Sequence, residues 1–330
     1  MKYDVSILVP IYNGERFIER CLHSLFGQTY ENIQFVFVND CTPDNSIKLL
    51  QTILLQYPHR QNHVKVVEHT QNRGLAGARN TGIEHAEGEY VLHIDSDDFV
   101  ELDMVAEKMS IARKEDADVV VSDFYLQWEK HNNYVVQNFA EAKTEFVEML
   151  LNAEAQTAVW NKMFRRCLYT QNKISAIQGV NFGEDVIVTP KLVYHSQKIV
   201  KLNRAFVHYV QYNSGSYSKK KSDKNMEDVL VVLDHLHTYF ADKPNSDKFQ
   251  KAIIVSKIRK KIEFIKQSTP DNLKRVLEKF PEDVTMYNNS NFGFFDRILV
   301  LTSKKNFFVF KSLVNAYQFL FSTVQILKGR

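Results

Sequence analysis

Residues 90–100 have the sequence YVLHIDSDDFV, a short apolar run that ends in three carboxylates within four positions. Runs rich in apolar and β-branched residues are typical of buried strands, whereas aspartate is a poor strand former. We therefore expect the strand to end near Ile94 and the carboxylates of Asp95, Asp97 and Asp98 to lie on the following turn. Three anions this close raise one another's pKa unless a positive charge lies among them.

Two kinds of positive charge are candidates for neutralising this acidic turn (residues 95–98). One is a divalent cation, Mg²⁺ or Mn²⁺, which prefers carboxylate oxygens. The other is the N-terminus of a helix predicted over residues 102–114. The alternative without a ligand is a solvated turn in which Asp97 or Asp98 caps that helix.

The composition of the whole chain limits the class of protein. With 330 residues, of which 44% are hydrophobic and 25% charged, the chain is long enough for one main domain and an appendage. A formal net charge of +3 is too small for a general nucleic-acid binder. The three cysteines, at positions 21, 41 and 167, are far apart and predict reduced thiols in a cytosolic protein. We recognise no signal peptide and no transmembrane segment.

Apolar runs and helical stripes alternate in the first hundred residues. They predict strands over residues 5–9, 33–38, 64–68 and 90–94, and helices over 15–26, after 42–44, and over 74–85. The first strand is expected to end at Pro10, because proline cannot donate to a sheet ladder. The alternation predicts an α/β fold with a parallel sheet and helices on both of its faces.

Polar residues follow each predicted strand, at positions 12–13, 39–40, 69–73 and 95–98. Open parallel sheets bind ligands at the carboxyl ends of their strands, so the acidic turn belongs to a candidate site. The loop after the first strand has Gly14 but neither a GxGxxG nor a P-loop motif. If phosphates bind here, we expect a metal at the acidic turn to neutralise them.

Four blocks of this sequence resemble the family 2 glycosyltransferases of GT-A fold, in both order and spacing. The blocks are VSILVPIYN (5–13), FVFVND (35–40), NRGLAGARN (72–80) and GEYVLHIDSDD (88–98). The chain looks like the bacterial enzymes that build capsular, lipopolysaccharide or exopolysaccharide repeats. The resemblance implies a GT-A α/β fold with a mostly parallel central sheet, and a nucleotide-diphosphate sugar, usually a UDP-sugar, as the donor.

The resemblance also implies roles for individual residues of the first half. The donor-binding residues are Pro10, Tyr12, Asn13, Asp40, Arg79, Asp95 and Ser96. Among them, Pro10 and Tyr12 line the nucleoside pocket and Asp40 contacts the base. The alternative for Arg79 is an ion pair with a carboxylate at the sheet edge. The metal ligands are Asp95, Asp97 and Asp98, with Asp97 as the direct ligand of a DxD motif and Asp98 as its rival.

Acceptor binding and catalysis are implied for two later blocks, VWNKMFRR (159–166) and FGEDV (182–186). An inverting transfer is a single displacement, so a carboxylate must take the proton of the attacking hydroxyl. By resemblance Asp185 is this general base and Glu184 is second; the alternative is that the pair caps the following helix. Trp160 and Lys162 are the candidate acceptor-binding residues, with a core aromatic and an exposed lysine as alternatives.

The predicted domains are a catalytic domain over 1–217 and a helical region over 218–330. The catalytic domain has a nucleotide-sugar-binding half (1–100) and an acceptor half (101–217). The helical region starts with a basic stretch at 219–221 and shows helical patterns over 229–240, 249–266 and 271–280. Its amphipathic tail (306–327) is flanked by Lys304, Lys305, Lys328 and Arg330. This pattern predicts a peripheral membrane contact, with packing on the protein's own helices as the alternative.

Together these features indicate an inverting hexosyl- or N-acetylhexosaminyl-transferase of bacterial surface polysaccharide synthesis. It is expected in the cytoplasm, at the inner face of the inner membrane. We expect it to use a nucleotide-diphosphate sugar, a glycan or lipid-linked acceptor and Mn²⁺ or Mg²⁺, and no nucleic acid. One alternative is a metal-dependent sugar nucleotidyltransferase, which normally has a glycine-rich loop after its first strand. The other is a non-catalytic nucleotide-sugar-binding or membrane scaffold protein.

Overall fold

The first hundred residues form the four strands that the apolar runs predict. The structure is a computed structural model, and it describes residues 2–213, 215, 223–268, 272–281, 292–305 and 307–327. The strands are β1 (Tyr3–Ile11), β2 (Ile33–Asn39), β3 (Val64–Glu68) and β4 (Gly88–His93). The helices between them are α1 (Ile18–Phe26), α2 (Ser46–Leu54) and α3 (Gly74–His85), with a short 3-10 helix at Pro58–His63. These four strands are parallel, in the order β3-β2-β1-β4.

The next hundred residues extend this sheet with strands of both directions. The strands are β5 (Phe99–Val100), β6 (Val119–Gln127), β7 (Asn132–Val135), β8 (Lys162–Arg165) and β9 (Ile199–Val210). The helices are α4 (Met104–Glu115), α5 (Lys143–Leu151), α6 (Cys167–Gln171) and α7 (Glu184–His195). The order continues β4-β8-β6-β9-β5, with β8 antiparallel to β4 and β6, and β5 antiparallel to β9. The predicted α/β class is confirmed, with antiparallel strands added to a parallel half.

The first strand continues through Pro10 to Ile11, so the prediction that it ends at Pro10 is wrong. Its pairing with β4 stops at Leu8 opposite His93, whereas its pairing with β2 continues to Ile11. The amide of Ile94 donates to the carbonyl of Leu8 at 3.0 Å, so Leu8 faces β4. Pro10 faces the same way, because backbone groups of alternate strand residues point to the same neighbour. The ladder to β4 has ended at that level, so no donor is needed at Pro10.

Aromatic side chains join α1 to the sheet. Phe26 of α1 makes edge-to-face contacts with Phe35 and Phe37 of β2, at ring-centroid distances of 5.3 and 5.9 Å. All three side chains are fully buried. Such contacts add about 0.5–1.5 kcal/mol each beyond the area they bury, so they fix α1 and the loop before it against the sheet.

Arg60 fixes the connection between α1 and β2. Its side chain is buried, and its guanidinium donates hydrogen bonds of 2.6–3.3 Å to the carbonyl oxygens of Phe26, Gln28, Tyr30 and Glu31. The planar group presents five N–H donors in a fixed geometry, which suits four carbonyls that converge on one point.

We predict that Arg60→Ala lowers the free energy of unfolding by about 3 kcal/mol, because it leaves these carbonyls without a donor. Arg60→Lys should recover only part of the loss, since an ammonium has three donors on a flexible stem. Urea denaturation measures both variants. Arg16→Ala, at an arginine whose side chain is 67% exposed, is the control and should change stability by less than about 0.5 kcal/mol. An equally small effect of Arg60→Ala would contradict the anchoring role.

The chain divides into two compact units, residues 1–236 and 237–330. The later helices are α8 (Asp223–Phe240), α9 (Ser246–Gln267), α10 (Leu273–Lys279), α11 (Phe294–Lys305) and α12 (Phe307–Leu327), which confirms the helices predicted there. The division falls inside α8, after Leu236; the domain boundary expected after residue 217 stays a prediction.

Residues 219–221, Asn306, Lys328 and Arg330 lie outside the described residues. Across the described part of the chain, no helix combines the length and apolar character needed to span a bilayer.

Candidate active site

The acidic turn lies between the end of β4 at His93 and the start of β5, as the sequence predicts. The amide of Asp98 donates to the carbonyl of Asp95 at 3.0 Å and closes the turn. The next helix, α4, begins at Met104 with Asp103 at its N-cap position. The acidic turn therefore does not cap that helix, and the capping alternative is wrong.

Asp97 and Asp98 are fixed in different ways. Asp98 is 1% exposed, and its Oδ1 accepts a hydrogen bond from the amide of Val210 at 2.8 Å. Its Oδ2 has no hydrogen-bond partner among the described residues. Burial, reinforced by the charges of Asp97 and Asp95, raises the pKa of Asp98 well above its usual value. Asp97 is half-buried, and its Oδ2 accepts from Nδ2 of Asn213 at 2.8 Å. Of the two carboxylates, Asp97 is thus the one that a ligand in solution can reach.

Arg79 of α3 links the acidic turn to the second half of the site. Its Nη2 donates to Oδ1 of Asp95 at 2.8 Å, and its Nη1 donates to Oε1 of Glu184. The side chains of Arg79 and Glu184 are both 8% exposed. Burial alone would lower the pKa of Arg79, but the neighbouring carboxylates, led by Asp95 and Glu184, outweigh it and raise that pKa. The ion-pair alternative for Arg79 is confirmed; its contact with the nucleotide stays a prediction.

Glu184 and Asp185 lie in the first turn of α7, where negative charge is favoured by the helix dipole. The N-cap position is taken by Gly183, whose φ of +91° lies in the region that favours glycine. Asp185 is half-buried, and its Oδ1 accepts from the amide of Val186 at 2.7 Å. Burial raises the pKa of Glu184 to about 8, against the opposing charge of Arg79. Glu184 and Asp185 therefore do not occupy the N-cap position, and the Glu184 carboxylate already accepts a hydrogen bond from Arg79.

The loop after β1 lies against the acidic turn. A β-carbon on Gly14 would come within 3.2 Å of Oγ of Ser96, so the two segments are in close contact. Asn13 has a φ of +53°, a left-handed conformation that asparagine tolerates. Tyr12 beside it is 49% exposed. The structure thus brings Tyr12, Asn13 and Ser96 to the carboxyl ends of β1 and β4, just beyond Pro10.

Asp40 anchors the N-terminus of α3. Its Oδ1 accepts from the amide of Arg73 and lies 2.7 Å from Nδ1 of His69, and its Oδ2 accepts from the amide of Gly74 at 2.8 Å. The side chain is buried, and both of its oxygens are used inside the protein. Asp40 therefore positions the helix that bears Arg79. Its predicted contact with the base stays a prediction.

Trp160 lies in the core. It is 5% exposed, with its ring edge-to-face on Phe124 at 4.9 Å and stacked on Tyr209 at 5.2 Å. This is the arrangement of the core-aromatic alternative. Acceptor binding by Trp160 stays a prediction, and it would require the core around the ring to open.

Lys162 is buried, so the exposed-lysine alternative is wrong. Its Nζ donates to the carbonyls of Gln156 and Ala158 and to Oδ1 of Asn161, at 2.7–2.8 Å. Burial lowers the pKa of Lys162 to about 7, and the charge of Asp185 partly opposes this. All three donors of an ammonium are used inside the protein, which defines a structural role; acceptor binding by Lys162 stays a prediction.

Sequence reasoning missed two partners of the acidic turn, Val210 and Asn213. Val210 is the last residue of β9, and Asn213 follows it three positions later. β9 pairs antiparallel with β5, with His208 opposite Phe99, and this pairing brings its last residues beside the turn. The available signal is a polar residue, Asn213, within three positions of the end of a strand, as at the other strand ends.

The carboxylates of the turn fit an ion that is shared with a substrate. The described residues contain no group of three or more His, Cys, Asp or Glu side chains arranged to enclose a metal ion. Mg²⁺ and Mn²⁺, however, need only one or two protein carboxylates when phosphates and waters complete their coordination. The side chains of Asp95 and Asp97 are partly exposed and can be reached by such an ion, whereas Asp98 is buried.

Solved structures show that this chain has the GT-A fold. The crystal structure of S. aureus TarS 1–349 in complex with UDP-GlcNAc matches this chain with a TM-score of 0.72 at 19% identity, over 96% of this chain and 91% of that one. The mannosyltransferase PcManGT from Pyrobaculum calidifontis, in complex with GDP-Man and Mn²⁺, matches with a TM-score of 0.51 at 17% identity, over 99% and 88%. At these identities the matches show the fold, and the GT-A prediction is confirmed.

The chain belongs to glycosyl transferase family 2, whose model matches residues 6–172, about half of the chain. It is 27% identical to EpsH of Bacillus subtilis over 256 residues, which cover 76% of this chain and 72% of EpsH. It is 36% identical to the uncharacterized glycosyltransferase EpsJ of the same organism over 188 residues, 55% of this chain and 53% of EpsJ. The predicted family and the predicted enzyme class, a glycosyltransferase, are confirmed, which argues against the nucleotidyltransferase and non-catalytic alternatives.

We predict that Arg79→Met lowers the free energy of unfolding by about 3–5 kcal/mol, because two carboxylates lose their buried partner. Combining it with Glu184→Gln should restore part of the loss, since a neutral amide needs no counter-charge. Urea denaturation of the two single variants and the double variant gives the coupling energy.

Arg204→Met is the matched control, because Arg204 pairs with Asp103 through two hydrogen bonds but its side chain is 47% exposed. The loss in free energy of unfolding caused by Arg204→Met should stay below about 1 kcal/mol, as for other solvated ion pairs. Strictly additive effects of Arg79→Met and Glu184→Gln would contradict the buried ion pair.

Proposed function

We propose that this chain transfers a sugar from a nucleotide-diphosphate sugar, of the uridine type, to a hydroxyl of a glycan or lipid-linked acceptor, with inversion at the anomeric carbon. The observation that supports this most strongly is the ion pair of Arg79 with Asp95 and Glu184. It connects the turn where the diphosphate is expected to the helix of the candidate base. An inverting enzyme needs the departing diphosphate and the general base on opposite sides of the anomeric carbon.

In the proposed step the acceptor oxygen forms a bond to the anomeric carbon as the bond from that carbon to the phosphate oxygen breaks. The hydroxyl proton passes to a carboxylate, and the bonding electron pair leaves with the nucleoside diphosphate. Asp185 suits the role of base because it is half-buried and lies one residue from the ion pair. Glu184 suits it less, because Arg79 already donates to its carboxylate.

Asp97 and Asp95 are the residues that would bind a divalent cation, Mn²⁺ or Mg²⁺. When bound, such a cation stabilises negative charge on the departing diphosphate as a Lewis acid. Asp97 is favoured over Asp98 as the direct ligand, because Asp98 is buried and accepts the amide hydrogen bond of Val210. Asp98 instead fixes the turn to β9, and Asn213 restrains the Asp97 side chain.

We expect Asp97→Ala to remove the Mn²⁺-dependent part of the affinity for UDP, because the direct carboxylate ligand is lost. Isothermal titration calorimetry with and without Mn²⁺ measures this. Asp98→Asn is the matched control: its amide oxygen still accepts from Val210, so the Mn²⁺ dependence should persist. Asp97→Ala with an unchanged Mn²⁺ dependence would overturn the metal assignment.

We expect Asp185→Asn to reduce kcat by about 10²–10⁴-fold, the usual contribution of a general base, with donor affinity kept. A nucleotide-release assay over a panel of nucleotide sugars and acceptors measures turnover. Glu148→Gln, which changes a half-buried carboxylate on α5, is the control and should retain activity. Turnover of Asp185→Asn close to that of the unaltered protein would exclude Asp185 as the base.

The proposed lipid-linked acceptor suggests a membrane contact for the last helix, α12. Phe310 and Val314 of its apolar stripe are buried, and Tyr317 stacks on Phe295 of α11, which supports the packing alternative for this part of the tail. Phe308 near the start of the helix is 82% exposed, so the membrane contact is proposed for that end. Amphipathic helices with exposed aromatic residues bind at the lipid interface. This fits an acceptor that is linked to lipid at the inner face of the membrane; the cytoplasmic location itself stays a prediction.

A further inference from the structure

The segment before α7 (residues 174–183, called the base loop here) is bonded to α3. The Asn80 side chain accepts from the amide of Ala176 and donates to its carbonyl, both at 2.9 Å. The Asn181 Oδ1 accepts from the amide of Ala76 at 3.2 Å. The base loop is thus connected to the helix that carries Arg79.

A second set of bonds to the base loop comes from α8. Asp228 is 3% exposed, and its Oδ2 accepts from two successive amides, those of Asn181 and Phe182, at 3.1 Å each. Its Oδ1 accepts from Nζ of Lys224 at 3.0 Å, and Lys224 also donates to the carbonyl of Gly179 at 3.1 Å. One buried carboxylate therefore fixes the orientation of two neighbouring peptide groups.

These two peptide groups lead directly into the candidate catalytic helix. Gly183 follows with a φ of +91°, and α7 starts at Glu184. A rotation of the peptides at 181 and 182 would redirect the first turn of α7, where Asp185 lies. Burying a carboxylate is costly unless it is hydrogen-bonded, so the position of Asp228 depends on these amides as much as they depend on it.

We propose that Asp228 is a positioning residue for sugar transfer, acting on Asp185 through the backbone of the base loop. This rests on the proposed function of Asp185 as the base. The acidic turn is also bonded to Arg79, but it has further bonds that do not involve the base loop, from Val210 at the end of β9 and from Asn213. Loss of Asp228 should therefore affect the transfer step more than donor binding. A displacement of a catalytic group by about 1 Å can cost about 10²-fold in rate.

The test uses the full chain with Asp228→Ala and Asp228→Asn. We expect Asp228→Ala to lower kcat by about 10–100-fold with the donor KM within about twofold, because the base is displaced while the acidic turn keeps its bonds to Val210 and Asn213. Asp228→Asn keeps one acceptor oxygen for the amides and should lose less. Asp234→Asn, at an exposed aspartate of the same helix, is the matched control and should keep the original kcat.

Hydrogen exchange followed by mass spectrometry supplies a readout that does not depend on activity. Amides of residues 181–186 should exchange faster in Asp228→Ala, while those of β9 keep their rates. Unchanged exchange there, or an unchanged kcat, would overturn the inference. If the unaltered protein transfers no sugar from any donor in the panel, the proposed function fails instead, and the exchange result still decides whether Asp228 orders the base loop.

Discussion

Arg79 donates to Asp95 and to Glu184 from inside the protein, and the geometry of the candidate site depends on this arrangement. The two carboxylates are buried or partly buried, and they come from segments that are far apart in the chain. Without a shared counter-charge they would repel each other, and the connection through Arg79 between the acidic turn and α7 would be lost. Asp40 contributes indirectly, because it fixes the N-terminus of the helix from which Arg79 projects.

The site brings many carboxyl groups together. The acidic turn and the start of α7 contribute five of them, and the guanidinium of Arg79 pairs with two, those of Asp95 and Glu184. The pKa values of Asp98 and Glu184 are raised chiefly by burial, and the neighbouring carboxylates add to the effect. A diphosphate would add further negative charge to these carboxyl groups, and the proposed cation would offset it.

The parallel half of the fold was predictable, because its strands and helices follow from local periodicity and the points where they end are marked by Gly and Asp residues. The acidic turn was predictable for the same reason. The bond from Arg79 to Glu184 was not, since it spans 105 positions and depends on which distant segments meet. Lys162 shows the limit for residue types: a lysine predicts exposure, and the three oxygens that surround it become apparent only in the folded chain.

The position of Asp228 determines where the C-terminal region could be exchanged between relatives. α8 belongs by sequence position to the helical region, yet most of it lies in the compact unit of residues 1–236, where Asp228 accepts from two peptide groups close to the proposed base. A chimaera joined near residue 217 would separate these groups from their carboxylate. An exchange of C-terminal regions between relatives therefore has to keep α8 with the catalytic unit from which its contacts come.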